Sequence, residues 1–450
     1  MSVPEGFVPT TPFPPDDRSI GYERGSSVSK AWDDATTEAA LETAAYVVRR
    51  LPELARAPED APDRAAKVRE FCKTLATRAF RRPLTPELER FFVDRPLSSS
   101  SDLDAAVKRV VLLVLKSPRF LFREIGGQEL DNYDVASRLS FGLWDSLPDP
   151  ALLEAAAAGQ LSTREQVAQR AERMLTNPRT RFKVRDFLLQ WLHVDQHPEL
   201  AKDASLYPGF DAAVATDLRT SLELFLDEVI CSERSDFREL LLANRVPVNG
   251  RLAKQYGLEM SADAPFQPVE MDLGERAGVV THPYLLASFA YLQHSSPIHR
   301  GVMIARGLLG RTLRPPPVAV APVASTLHPN LTTRQRVELQ TKPAACSGCH
   351  GLINPLGYTL EKFDAIGRLR TRDNNQPVDT RGGYQPLTGK PVQLAGARDL
   401  ARYLADSPEV HAAFTERLFQ HLVKQPVRAY GPSTGEELRR AFTANQYHIR

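Results

Sequence analysis

Apolar residues recur along most of this chain at steps of three and four, the period of helices that bury one face. Ala212 to Ile230 shows it most clearly, with Val214, Leu218, Leu222, Leu226 and Val229 on one stripe. The same period runs through Val68, Phe71, Leu75 and Ala79, through Val135, Leu139 and Leu143, and through Phe182, Phe187, Leu188 and Trp191 of Arg179 to Leu192. Helices are also expected near Ala39 to Leu51, from Thr333 to Leu339, and from Phe414 to Gln425, where Pro426 ends the run. Several boundaries are written in local chemistry. Thr85 caps a helix whose first position is Pro86, and Ser117-Pro118 breaks the helix from Asp104 to Phe122. Ser162-Thr163-Arg164-Glu165 opens a helix ending near Leu175, and Ser296-Pro297 opens another. Strand signals are confined to 258–281, with a strand at Ala277 to Thr281, and to the turn-rich 373–395. The pattern predicts a mainly α fold with minor β.

The chain has 450 residues, which at ~100–200 residues per domain implies several domains. Breaks in the pattern divide it into an N-terminal region at 1–52, a small helical domain at 62–124 and a helical domain at 129–258. A connecting region with one helix follows at 259–313, then a Pro-rich connector and motif segment at 314–372, and a C-terminal helical region at 390–450. Arg314-Pro315-Pro316-Pro317-Val318 makes the connector stiff. Hydrophobic residues are 42% and charged residues 25% of the chain, an ordinary soluble balance. A net charge of +2 argues against nucleic acid as a partner. No run approaches the ~20 apolar residues of a membrane span; the longest, Val107 to Leu115, carries Lys108 and Arg109. The N-terminus has no basic start and no apolar core, so it does not read as a signal peptide.

Candidate chemistry is concentrated at Ala345-Cys346-Ser347-Gly348-Cys349-His350-Gly351. In Cys-x-x-Cys-His, two thiols three positions apart can add to both vinyl groups of a haem, and the adjacent imidazole ligates iron. This reading assigns one covalent haem c to Cys346, Cys349 and His350, with His350 as the proximal iron ligand. The competing readings are half of a zinc site or a redox dithiol. The first lacks a second Cys/His pair nearby, and the second lacks a βαβ unit around it. Asn354-Pro355-Leu356-Gly357 is expected to form an irregular turn whose backbone carbonyls accept the Nδ1–H of His350. Leu352, Ile353, Leu356, Tyr358, Leu360 and Phe363 are expected to wall the haem from water.

A distal iron ligand is less plainly written, because no Met follows Met303. His421 is the favoured candidate, beside the Leu418–Leu422 stripe. Met303 and His299, at i and i+4 on one expected helix face, are the alternatives, with His294, His411 and His448 behind them. Other groupings read as structural. Glu223 and Asp227 fit a solvated helix face, the Arg-rich stretches 78–82 and 179–185 fit helix surfaces, and Asp373-Asn374-Asn375 with Asp379 fits a plain turn. His193 and His197 fit a helix end. Cys72 and Cys231, both in apolar contexts, read as buried thiols.

The chain resembles the large multidomain c-type cytochromes of planctomycetes and some myxobacteria, built from several adjoining domains of unknown function. The resemblance rests on Ala79-Phe80-Arg81-Arg82-Pro83-Leu84-Thr85, Ser117-Pro118-Arg119-Phe120-Leu121, Arg138-Leu139-Ser140-Phe141 with Leu143-Trp144, and Leu206-Tyr207-Pro208. It continues through Glu223-Leu224-Phe225, Ser296-Pro297 with Arg300-Gly301-Val302, and the haem motif joined to Ile353-Asn354-Pro355-Leu356-Gly357. Leu360-Glu361, Phe363-Asp364-Ala365-Ile366-Gly367-Arg368 and Ala429-Tyr430-Gly431 complete it. It implies a multidomain helical body followed by a small cytochrome c-like haem domain, in a periplasmic or secreted protein. Its chain start is then expected inside a longer gene product, or after a removed export signal. The function expected is monohaem electron transfer to a redox partner protein. The alternatives are a haem oxidase, peroxidase or oxygenase with an open distal site, and a scaffold for cell-surface polysaccharide.

Overall fold

A computed structural model describes residues 7–14, 29–123, 130–194, 199–272, 274–313 and 328–450. The fold is mainly α, with three small antiparallel two-stranded ribbons among the described residues. The Pro-rich connector at 314–327 and His197 lie outside the described residues. The chain divides into two compact units, residues 1–180 with 421–424, and residues 181–420 with 425–450.

In the first unit, helices α1 (Lys30–Arg49), α2 (Arg64–Phe80) and α3 (Leu103–Leu115) close over Val47, Leu51, Val68, Phe71, Leu75, Val107 and Val110. Burying each such side chain contributes roughly 1.5–3 kcal/mol, which is why the period read from sequence becomes a core. The expected Thr85 cap forms, its Oγ1 accepting from Leu88 N, and at the expected break Ser117 Oγ accepts from Arg119 N to cap the next turn of helix. Arg81 departs from its expected place on a surface. It ends α2 in the left-handed region, φ 59°, with only 4% of its surface exposed. Its guanidinium donates to the carbonyls of Arg119 (2.9 Å) and Phe122 (2.8 Å), so a charge that looks solvated in sequence ties two helix ends together. Helices α4 (Asn132–Trp144), α5 (Pro150–Ala157) and α6 (Arg164–Leu175) enclose a smaller core. There Trp144 Nε1 donates to Met174 O and Thr180 Oγ1. The Thr163/Gln166 capping box opens α6.

Helix α7 (Pro178–Trp191) leads into the second unit, where α8 (Ala212–Cys231) presents its apolar stripe to the core. Asp227 on α8 is buried rather than solvated, because Arg181 (2.6 Å) and Arg185 (2.9 Å) of α7 both reach its carboxylate. Glu223 pairs with Arg219 one turn back. Strands β1 (Arg245–Val248) and β2 (Gln267–Glu270) pair antiparallel beside α8. The strand expected at Ala277 to Thr281 is instead a 3₁₀ turn at Val279–Thr281. Gly278, at φ 45°, breaks the extended run, and a Cβ there would lie 2.1 Å from Leu240 O. No helix among the described residues is long and apolar enough to cross a membrane.

Candidate functional site

The site is built on three helices of the second unit: α9 (Pro297–Val302), α10 (Thr333–Thr341) and α11 (Ala344–Tyr358). Ser296 Oγ caps α9 from His299 N, and Pro297 stands at its first turn. Thr332 and Gln335 form a capping box at the start of α10. Helix α11 carries the whole Cys346–His350 motif and then runs on through Pro355. The irregular turn expected at 354–357 is therefore helix. A proline inside a helix removes one N–H and crowds the carbonyl four residues back. Here tertiary contact outweighs that penalty, because α11 is held backbone to backbone on two sides. A Cβ on Gly301 would lie 2.0 Å from Ile353 O, one on Gly357 would lie 1.9 Å from Pro297 O, and one on Gly382 would lie 2.0 Å from Pro355 O. Three glycines thus let α9 and strand β5 (Gly382–Tyr384) approach the helix closely.

The helical spacing sets the motif's geometry. Cys346 and Cys349 are one turn apart and His350 follows, with Cys346 and His350 half-buried and Cys349 exposed. A Cβ added at Gly348 or Gly351 would meet nothing within 4 Å, so the face of the helix turned away from the two cysteines and His350 is open. Both thiols are free. His350 Nδ1 sits 2.9 Å from Asn354 Oδ1, and Asn354 Nδ2 donates to Thr341 Oγ1 at 2.9 Å. The partner of Nδ1 is thus a side-chain carbonyl, whereas the sequence suggested a backbone one. The reason is that the helix continues through Pro355: with 354–357 helical, the backbone carbonyls there point along the helix axis. Of the expected apolar wall, Leu356, Leu360 and Phe363 belong to the core of the second unit, Ile353 and Tyr358 are buried as well, and Leu352 is half-buried.

These residues fit haem c. Two thiols and an imidazole stand on one face of a single helical stretch, with the imidazole held by a neighbour through Nδ1. Among the described residues, no three Cys, His, Asp or Glu side chains are arranged to hold one metal ion, so the motif does not build a zinc-type ligand set. The described strands are antiparallel ribbons, which is not the surrounding of a βαβ redox dithiol.

The remaining candidates fall in different places. His421, near the end of helix α13 (Pro408–Val423), is buried and belongs to the first unit, while the motif belongs to the second. His299 and Met303 part company. His299 is exposed, its ring 4.9 Å from that of Tyr291, whereas Met303 is buried where α9 passes into a π-helical turn at Met303–Leu308. His411 is buried among Phe237, Phe442 and Tyr447, with Nε2 2.7 Å from Ala405 O. His294 is half-buried, and burial lowers its pKa. His448 Nδ1 meets Arg450 O. Asp373 to Gln376 form the turn of a two-stranded ribbon, β3 (Arg372–Asp373) with β4 (Gln376–Pro377), with Asn374 and Asn375 at positive φ as a tight hairpin requires. Asn354, Thr341, Arg300 and the three seat glycines escaped the sequence reading as a site. The one available signal was Asn354 standing one turn after His350.

The cysteines separate by environment. Cys72 is fully buried and desolvation pushes its thiol up to about 12, whereas Cys231 is exposed, against the expectation that it is buried. Alkylation follows the accessible thiolate. In the folded, haem-free chain, iodoacetamide is expected to label Cys231, Cys346 and Cys349 within minutes and Cys72 only after denaturation. Labelling of Cys72 at the same rate as Cys231 would contradict the packing of the first unit.

Three families match the chain in succession: PSD5, a protein of unknown function (DUF1595), at residues 67–124; PSD4, a protein of unknown function (DUF1592), at 130–258; and PSCyt3, a protein of unknown function (DUF1588), at 276–373. The last span contains α9, α10 and α11 with the motif. No curated protein and no solved structure matches the chain.

Proposed function

We propose, for a chain that belongs to a multidomain family built from several adjoining domains of unknown function, that Cys346, Cys349 and His350 carry one haem c serving electron transfer outside the cytoplasm. The observation that carries this reading is the helical presentation of the three side chains beside an imidazole already held through Nδ1. The name PSCyt3, borne by the family matching this segment, points the same way. Attachment would be an addition: each S–H would add across one vinyl C=C, forming a thioether S–C bond, with the hydrogen going to the other vinyl carbon. No oxidant is needed, and both cysteines must be reduced thiols, as they are here. Bound haem supplies a one-electron couple. His350 would supply a nitrogen to the iron, Cys346 and Cys349 would hold the group on the helix, and α9 with β5 hold that helix in place. Haem c is attached outside the cytoplasm, so this reading carries with it a periplasmic or secreted location.

The test is maturation behind an export signal in a host with haem c assembly machinery. The product is expected to keep its colour through acid–acetone extraction and to gain the mass of one haem, with Cys346→Ala/Cys349→Ala abolishing both. A folded, matured, colourless protein would overturn the proposal. The candidates for a second iron ligand are His421, Met303 and His299, with an open site as the other outcome. Single alanine variants separate these, since only loss of the true ligand converts a low-spin spectrum to high-spin with haem retained. A wild-type spectrum that is already high-spin and binds CO would make the site a haem enzyme's instead.

A further inference from the structure

We infer that Asn354 is a positioning residue for His350 and that Thr341 dictates which way round its amide stands. The inference rests on the haem reading above, and it concerns which nitrogen of His350 is available to iron.

The argument is one of counting protons. Thr341 Oγ1 donates its single proton to Val337 O at 2.7 Å, the usual bond back to the preceding turn. A hydroxyl has only one proton to give, so toward Asn354 the same oxygen offers lone pairs alone. The Asn354 atom 2.9 Å away must therefore be the Nδ2 donor. That leaves Oδ1, a pure acceptor, facing His350 Nδ1 at 2.9 Å, so Nδ1 carries the proton. In a neutral imidazole the lone pair is then on Nε2, which has no hydrogen-bond partner among the described residues. Flipping the amide would set Nδ2 against Nδ1 and Oδ1 against a hydroxyl with no proton left to give. The Nε2–H tautomer could accept from Nδ2, but the Thr341 contact would still be lost, and because Asn354 and Thr341 are both buried, water does not easily replace it. Helix α10 thus selects the Nε2-ligating tautomer before any iron arrives. An acceptor on Nδ1–H also makes the imidazole a stronger donor and favours ferric iron, which lowers the reduction potential.

Two readouts test this. Two-bond ¹H–¹⁵N spectra of the full chain made without haem are expected to show His350 as the Nδ1–H tautomer. Asn354→Leu should return it to the Nε2–H form that free imidazole side chains favour in water. Thr341→Val should give a mixture, and Thr341→Ser should restore the wild-type form. In the haem-loaded chain, Asn354→Asp should lower the midpoint potential and Asn354→Leu should raise it. An Nε2–H tautomer in the wild type, or a tautomer indifferent to Asn354→Leu, would overturn the inference. Should Asn354→Leu fail to fold, Thr341→Val and Asn354→Asp decide it, and should the haem-free chain fail to fold, the potentials decide it. A chain that shows the expected tautomer yet never takes up haem would sink the proposed function alone, leaving the positioning of His350 intact.

Discussion

Gly357→Ala is expected to destabilise the second unit by more than about 2 kcal/mol, although helix propensity alone favours alanine over glycine by ~1 kcal/mol. The two effects can be weighed. Neither Gly357 nor Gly301 sits at positive φ, so alanine strains neither backbone. The new methyl at 357 would lie 1.9 Å from Pro297 O, and one at 301 would lie 2.0 Å from Ile353 O. The obstructing atoms belong to backbone, which cannot swing aside as a side chain can. Either α9 and α11 separate, opening voids along their whole contact, or the helix ends distort. Both outcomes exceed the propensity gain. Gly351→Ala on the same helix is the control, since a Cβ there meets nothing within 4 Å. It should raise stability by about 0.5–1 kcal/mol. Urea unfolding followed by circular dichroism checks both, with the midpoint moving down for Gly357→Ala and Gly301→Ala and up for Gly351→Ala. A midpoint unchanged or raised in Gly357→Ala would show that α9 and α11 are not seated backbone to backbone.

What the sequence made legible was local. The helix starts at Thr85, within Ser162–Glu165 and at Ser296 depend on residues within one turn, and all three form. Cys346, Cys349 and His350 were legible for the same reason, because spacing along one helix is enough to define them. What escaped were effects of distant partners. Pro355 ordinarily marks a break, and only the approach of Gly301 and Gly382 shows why the helix survives it. Asp227 looked solvated because the arginines that bury it lie more than forty residues earlier. Arg81 looked like surface because the carbonyls that accept from it lie beyond the next helices. β1 was missed because a four-residue strand containing Pro247 is recognisable only through its register with β2. Asn354 was in plain view four positions after His350, yet its role needed Thr341 on another helix to fix the amide.

Arg300→Met should be the most damaging single change in the second unit. Arg300 is fully buried on α9, and its guanidinium donates to four carbonyls, those of Leu286 (3.1 Å), Leu360 (3.0 Å), Phe363 (2.7 Å) and Asp364 (2.6 Å). Desolvation lowers its pKa to about 10, which still leaves it charged at neutral pH. Glu361, also buried, lies 3.8 Å away and is bonded to Arg370 and Ser295. The fork therefore binds the segment that leaves α11 to the helix α11 is seated on. Methionine fills much of the volume but leaves the carbonyls without their donor and Glu361 with one cation fewer. Glu361 keeps Arg370 and Ser295, so the larger loss is that of the donors, each unsatisfied buried carbonyl costing roughly 1–3 kcal/mol before relaxation. A loss above about 4 kcal/mol is expected. Lysine should recover only part of it, because an ammonium presents its donors from one point and cannot span two pairs of carbonyls. Adding Glu361→Gln to Arg300→Met should relieve some of the damage by removing a buried charge that has lost one of its two neighbouring cations, so the pair of changes is less than additive. Urea midpoints of the three variants measure this. A loss under about 1 kcal/mol in Arg300→Met, or strict additivity with Glu361→Gln, would mean that the clamp does not hold α11 in place and that the glycine seat alone does.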